Sequence, residues 1–260
     1  MSVQQRARLR HQTEIVGLPL EGGVLQWLVD RDLGAQHVMA YRLALESDSA
    51  LSHVHNGAEE VLYVLEGTGE VRVEGATHQV GSGQAVFIRE GAEHSYLNTG
   101  ATSLVLVGAM APPIDLDDIR PAMPRLDLTG LGSASLDERG IAPTIMDERQ
   151  VTPTLMGERS FRVLVSPEVG CRQMTQFTGV IPTGRAPLHA HPHEEAVYIL
   201  AGTGQLWIED APVGELRAGS VVFFPIGVRH TLENTGHEDM KVLGAFSPAG
   251  SPEAKLPPSR

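Results

Sequence analysis

The chain repeats itself. Val24–Leu45 (VLQWLVDRDLGAQHVMAYRLAL) aligns with Ser160–Ile181 (SFRVLVSPEVGCRQMTQFTGVI) at an offset of about 136 positions. That offset carries Gly34 onto Gly170, His53 onto His189, His55 onto His191, His94 onto His230, Asn98 onto Asn234 and Pro112 onto Pro248. The register slips by one residue between the second histidine and the glutamates that follow, then recovers before Gly83 and Gly219. Similarity kept over a whole domain length marks a tandem duplication. Whatever one half folds into, the other must fold into too, and 260 residues suffice for two modest domains with separate cores.

Each repeat reads as β-structure. Val61–Gly75 is a short apolar run, a glycine-bearing turn and an alternating run, the pattern of a hairpin, and Ala196–Asp210 matches it. Gln84–Ile88, Ser220–Pro225, Ser103–Met110 and Met240–Phe246 read as further strands. Short strands at close spacing predict a sandwich or barrel in each half, with no sustained helical period. The expected domain limits are 21–115 and 158–250, with an N-terminal arm at 1–20, a linker at 116–157 and a tail at 251–260. The arm is polar enough to be disordered up to Glu14. The proline- and acid-rich linker is too long for a loop inside a compact domain, and is expected to lie extended across both barrels with one short helix over Leu116–Arg120.

Charge and cysteine count narrow the function classes. A formal charge of −12 repels phosphate backbones, so nucleic acid is not an expected partner. Cys171 is the sole cysteine; it excludes an intrachain disulfide and a thiolate metal cluster, and reads as a small buried residue. The N-terminal residues lack the apolar core of a signal peptide, and no stretch reaches the ~20 apolar residues of a membrane span. The expected setting is cytoplasmic, without a membrane partner.

The chemistry lies in the histidines. His53 and His55 are two apart, so a strand puts both on one face. Glu60 follows a turn and can fold back beside them; His94 lies on a later strand. His189, His191, Glu195 and His230 repeat the set. Three neutral imidazoles and a carboxylate suit Fe, Mn, Ni, Cu or Zn, one ion per domain, with coordination positions left for a small-molecule substrate. Glu59 and Glu194 precede the two glutamates, but the spacing to Gly67 and Gly202 favours Glu60 and Glu195. His193 is expected to be exposed, and His11, His37, His78 and His237 to lie on the surface. Tyr63 and Tyr198 fall on the strand face opposite the glutamates, which suits core or interface packing; Leu62, Val64, Val197 and Ile199 share the glutamate face.

These motifs resemble those of the cupin superfamily. H-x-H, then glutamate, then glycine is met by His53, His55, Glu60 and Gly67, and by His189, His191, Glu195 and Gly202. The second motif, G-x5-P-x-G-x2-H-x3-N, is complete in Gly219, Pro225, Gly227, His230 and Asn234; in the first copy Arg89 replaces the proline. The resemblance implies a bicupin, all-β: two tandem double-stranded β-helix (jelly-roll) barrels with the ligands facing inward. Quercetinase-like and pirin-like bicupins suggest a dioxygenase-type oxidoreductase. Other cupins suggest an isomerase, decarboxylase or lyase, or a metal-bearing binding protein without catalysis. Oxalate decarboxylases resemble this architecture but carry an arginine three residues before H-x-H, where this chain has Ala50 and Ala186. The chain is expected to be a monomer or homodimer.

Overall fold

The computed structural model describes residues 8–114, 120–121 and 144–257. The first half contains β1 (Arg8–His11), β2 (Leu18–Leu20), β3 (Gly23–Val29), β4 (Met39–Leu45), β5 (Ala50–Val54), β6 (Glu59–Glu66), β7 (Thr68–Val73), β8 (Ala76–Gly81), β9 (Gln84–Ile88), β10 (His94–Asn98), β11 (Leu104–Ala111) and the short β12 (Arg120–Pro121). The second repeats all but β12 among its described residues, as β13 (Thr144–Asp147), β14 (Thr154–Met156), β15 (Arg159–Val165), β16 (Thr175–Ile181), β17 (Gly184–Arg185), β18 (Glu194–Ala201), β19 (Thr203–Ile208), β20 (Ala211–Arg217), β21 (Ser220–Phe224), β22 (His230–Asn234) and β23 (Met240–Ser247). Among the described residues the only helical pieces are three-residue 3-10 turns.

Each half folds into two facing antiparallel sheets. In the first they run β13-β9-β6-β11-β4-β3-β2 and β12-β5-β10-β7-β8; in the second, β1-β21-β18-β23-β16-β15-β14 and β17-β22-β19-β20. The period-2 alternation of a strand explains the layering. On β6, Leu62 and Val64 point between the sheets of the first barrel, toward Leu43, Val71 and Tyr96. Val61 and Tyr63 point the other way, into a cluster shared by both barrels that includes Ala196, Tyr198, Phe223 and Leu243. With both faces covered, the strand reads as an unbroken apolar run rather than an alternating one.

Two sequence expectations need correction. The Val61–Gly75 hairpin does not form, because β6 pairs with β11 and β9 whereas β7 pairs with β10 and β8. Gly67, at φ +82°, turns the chain from the large sheet to the small one, and a Cβ there would lie 2.5 Å from the Ser103 carbonyl oxygen. A side chain would therefore block the crossing. The second correction concerns the segments placed outside the repeats. β1 pairs with β21 of the second barrel, from Arg8↔Phe223 to His11↔Ser220. β13 pairs with β9 of the first barrel, from Thr144↔Phe87 to Asp147↔Gln84. The arm and the end of the linker thus form a reciprocal exchange of edge strands, and we propose 8–114 and 144–257 as the repeating units. Four-residue strands have no periodicity of their own; their partner edge lies in the other half of the chain. The short helix expected over Leu116–Arg120 lies outside the described residues, save for Arg120, which is in β12.

The one-residue slip also has a structural cause. The loop between the second histidine and the glutamates is shorter in the second copy, and β20 carries one residue more than β8. The extra residue is absorbed where the β19–β20 register shifts between Leu206 and Trp207, as in a β-bulge.

Candidate metal centres

In the first barrel, β5 and β10 place His53 and His94 opposite each other in the ladder, and β6 brings Glu60 across from the facing sheet. Glu60 Oε2 lies 2.9 Å from His94 Nε2, 3.0 Å from His55 Nε2 and 3.9 Å from His53 Nε2. The His53 and His94 Nε2 atoms are 2.9 Å apart. All four side chains are buried. His94 Nδ1 donates to the Ala92 carbonyl at 2.8 Å. A carbonyl can only accept, so the neutral ring has its lone pair on Nε2, aimed at a carboxylate oxygen and another imidazole. Such acceptors repel unless a cation sits among them. Separations near 3 Å match the ~3 Å edge between neighbouring donors bound at ~2.1 Å to one ion. The donor set therefore fits a divalent metal, without selecting which one.

The tuning around the cluster agrees with this. Burial, then the neighbouring His94, pull His53 down to about 3, so its ring is neutral at ordinary pH. Burial alone would raise Glu60, yet the surrounding imidazoles, His55 foremost, outweigh it and hold the carboxyl well below its usual range. The Tyr41 hydroxyl donates to Glu60 Oε1, leaving Oε2 to face the histidines.

The second barrel holds the equivalent residues in a looser arrangement, with Glu195 grouped with His191 and His193 rather than with all three motif histidines. His189, His191 and His230 come together, with ring nitrogens within 4.8 Å of one another. Each donates Nδ1–H to a backbone carbonyl: His189 to Pro187 at 3.0 Å, His191 to Ala254 at 2.7 Å and His230 to Val228 at 2.8 Å. These bonds fix all three tautomers with Nε2 available as ligand. Glu195 stands somewhat apart, its Oε2 3.8 Å from His191 Nε2. Among the described residues no hydroxyl holds it, because Phe177 occupies the position of Tyr41 by the repeat offset. Burial pulls His189 down to about 4 and pushes the Glu195 carboxyl up. The three imidazoles and Glu195 open onto a cavity of about 90 Å³, lined by side chains including Phe161, Leu232 and Arg159. The first barrel's cavity of about 100 Å³ reaches only His53 among the four donors, with Trp27, Tyr41, Tyr96 and apolar side chains around it.

Other expectations change. His193 is buried, not exposed: it stacks on Phe246 at 3.9 Å and on His191 at 4.7 Å. Glu59 and Glu194 lie outside both clusters and reach into the opposite barrel. Glu59 accepts from Gln173 N at 2.7 Å, and Glu194 accepts from His37 N at 2.7 Å and Gln36 N at 2.9 Å. His37 and His237 are exposed, but His11 and His78 are half-buried, and the His11 ring bonds Ala218 O at 3.0 Å to fasten β1. Tyr41, Arg159 and Ala254 adjoin the clusters without belonging to either motif. Tyr41 shares the inward face of β4 with Met39 and Leu43, a signal open to strand alternation; nothing local marks the other two.

The fold and the two clusters define a protein of paired double-stranded β-helices, each with a histidine–glutamate centre. The cupin domain model matches twice, over residues 41–109 and 177–246. The chain belongs to the cupin family, as a tandem bicupin. It is 34% identical over 74 residues to Auxin-binding protein 1 of Arabidopsis thaliana, which is 25% of this chain and 37% of that protein. It is 36% identical over 70 residues to Protein SchB of Streptomyces halstedii, 26% of this chain and 50% of that one. The chain spans half or less of the length of these two relatives. Among solved structures, an oxalate decarboxylase variant from Bacillus subtilis superposes with TM-score 0.74 at 15% identity, covering 92% of this chain and 76% of that one. A formate complex of oxalate decarboxylase from Lactobacillus farciminis gives 0.73 at 16%, covering 92% and 85%. At such identities the likeness is one of fold. Among the described residues no helix is long and apolar enough to cross a membrane.

Proposed function

We propose that this bicupin is a metal-dependent enzyme for a small organic molecule, with the second barrel as its working site and His53, His55, Glu60, His94, His189, His191, Glu195 and His230 as ligands. One observation carries the reading: the second centre opens onto a cavity through three imidazoles of fixed tautomer, whereas tyrosines crowd the first. A divalent ion held there would supply Lewis acidity and, if redox-active, electron transfer. The chain's own residues do the rest. The carbonyls of Pro187, Ala254 and Val228 orient the rings. Phe161, Phe224 and Leu232 exclude water around the reacting molecule. Glu195, which no hydroxyl pins, can carry a proton at Oε2.

The reaction we favour is dioxygenase-type oxidation, as the motif resemblance suggests. Non-oxidative decarboxylation is the second reading, favoured by the fold likeness to oxalate decarboxylases and by the cationic side chains of the cavity. Purified protein loaded with iron or manganese would be assayed for oxygen uptake and carbon dioxide release across a panel of diketones, phenols and small carboxylic acids. Turnover that is lost in His230→Ala and retained in His94→Ala supports the reading. Turnover that survives both substitutions refutes a metal-centred mechanism, and release of carbon dioxide without oxygen uptake selects decarboxylation.

A further inference from the structure

The second cavity has a charge pattern that its metal donors do not explain. Its walls are largely apolar, with Phe161, Val197 and Leu232 among them, but Arg159 and Lys255 break that lining. Glu195 is the one carboxylate among the described residues around it. Arg159 opens β15 and donates from one terminal nitrogen to Leu232 O at 2.7 Å, which leaves most of its donor fork unused. Burial lowers the guanidinium to about 10, so it stays cationic at neutral pH. By the repeat offset, Gly23 stands in its place in the first barrel.

Lys255 arrives from the C-terminal tail. Leu256 N donates to Ala190 O at 2.8 Å, and Ala254 O accepts from His191 Nδ1 at 2.7 Å. The tail therefore orients a ligand of the second centre and sets a cation at the cavity edge. Arg159 and Lys255 also line the wider mouth outside, of about 470 Å³, beside Arg185 and the carboxylate of Glu158.

We propose that Arg159 and Lys255 form an anion clamp, split between the barrel wall and the C-terminal tail, that selects a small organic carboxylate with an apolar body. The inference rests on the second barrel being the working site. With Glu195 ionised, the two cations still leave the cavity with excess positive charge, which a seated divalent ion only increases. A carboxylate on the guanidinium fork gains charge-assisted hydrogen bonds, and its apolar body covers the aromatic and aliphatic wall. Because Lys255 itself is exposed on the tail, a carboxylate bound to it adds a further tie between the tail and the barrel.

The test uses isobutyrate and its uncharged counterpart isobutyramide, titrated calorimetrically into metal-loaded and chelator-treated protein. Isobutyrate should bind in both forms and isobutyramide at least about tenfold more weakly, the discrimination expected of a charged hydrogen-bonding pair. Arg159→Gln and Lys255→Gln should each weaken isobutyrate by about tenfold, and Arg159→Lys by less. If Arg159→Gln fails to fold through loss of its Leu232 contact, Lys255→Gln on the exposed tail carries the test alone. Bound isobutyrate should also slow tryptic cleavage after Lys255, which isobutyramide should not. Equal binding of acid and amide, or full affinity in Lys255→Gln, overturns the clamp. Protein that takes up no metal yet still prefers isobutyrate refutes the metal-dependent reading and leaves the clamp standing.

Discussion

At the scale of single residues, the two centres differ most in what holds their glutamate. Glu60 is tied by the Tyr41 hydroxyl and hydrogen-bonded to the His55 imidazole; Glu195 has Phe177 in Tyr41's place. Tyr41→Phe would leave a buried carboxylate oxygen without its donor, a loss of about 1–3 kcal/mol. Denaturant unfolding should register that drop, and an unchanged midpoint would mean the hydroxyl is not engaged with Glu60. Cys171 offers a second check. Burial, and secondarily the nearby Glu59 carboxylate, push its thiol up to about 12. An acid so raised stays protonated at pH 8, so iodoacetamide should leave the native protein unlabelled and modify it only after unfolding; rapid native labelling would contradict this. The convergence of His53, His55, Glu60 and His94, and of His189, His191 and His230, was legible in the sequence because cupin motif spacing is a local record of strand pairing. Tyr41, Arg159 and His193 were not, since their roles depend on side chains far along the chain.

At the scale of elements, the exchanged strands tie the repeats together. β1 covers the edge of β21 while Tyr198 donates to Gln12 Oε1 at 2.6 Å. Removing residues 1–14 should expose that edge, lower the melting temperature and promote self-association, seen by light scattering. A truncated chain that melts and elutes like the full one would show the pairing to be dispensable. The strands of each barrel could be read from alternation and glycine punctuation. Sheet membership could not: β6 and β7 follow each other like a hairpin, and only the close approach at Gly67 to Ser103 directs them into different sheets. The strand within the arm, four residues long, is too short to show a period.

At the scale of the molecule, the duplication makes one body from two barrels. The outer faces of the large sheets close on each other around Tyr63, Phe87, Tyr198 and Phe223. Burying each such aromatic contributes roughly 1.5–3 kcal/mol. Glu59 and Glu194 cross this boundary in opposite directions to cap backbone amides of the partner barrel, so both the packing and the polar contacts follow the internal two-fold relation. Within that shared frame the barrels have diverged: tyrosines flank the first centre, whose cavity meets only His53 of its four candidate donors, while all four of the second line a cavity with a cationic edge. The measurement closest to the central claim is metal content by mass spectrometry of the native chain, His94→Ala and His230→Ala. The native chain should hold one equivalent per barrel, and each variant should lose the equivalent of its own barrel while keeping the other. Metal-free native protein, or content that neither substitution changes, would contradict the account.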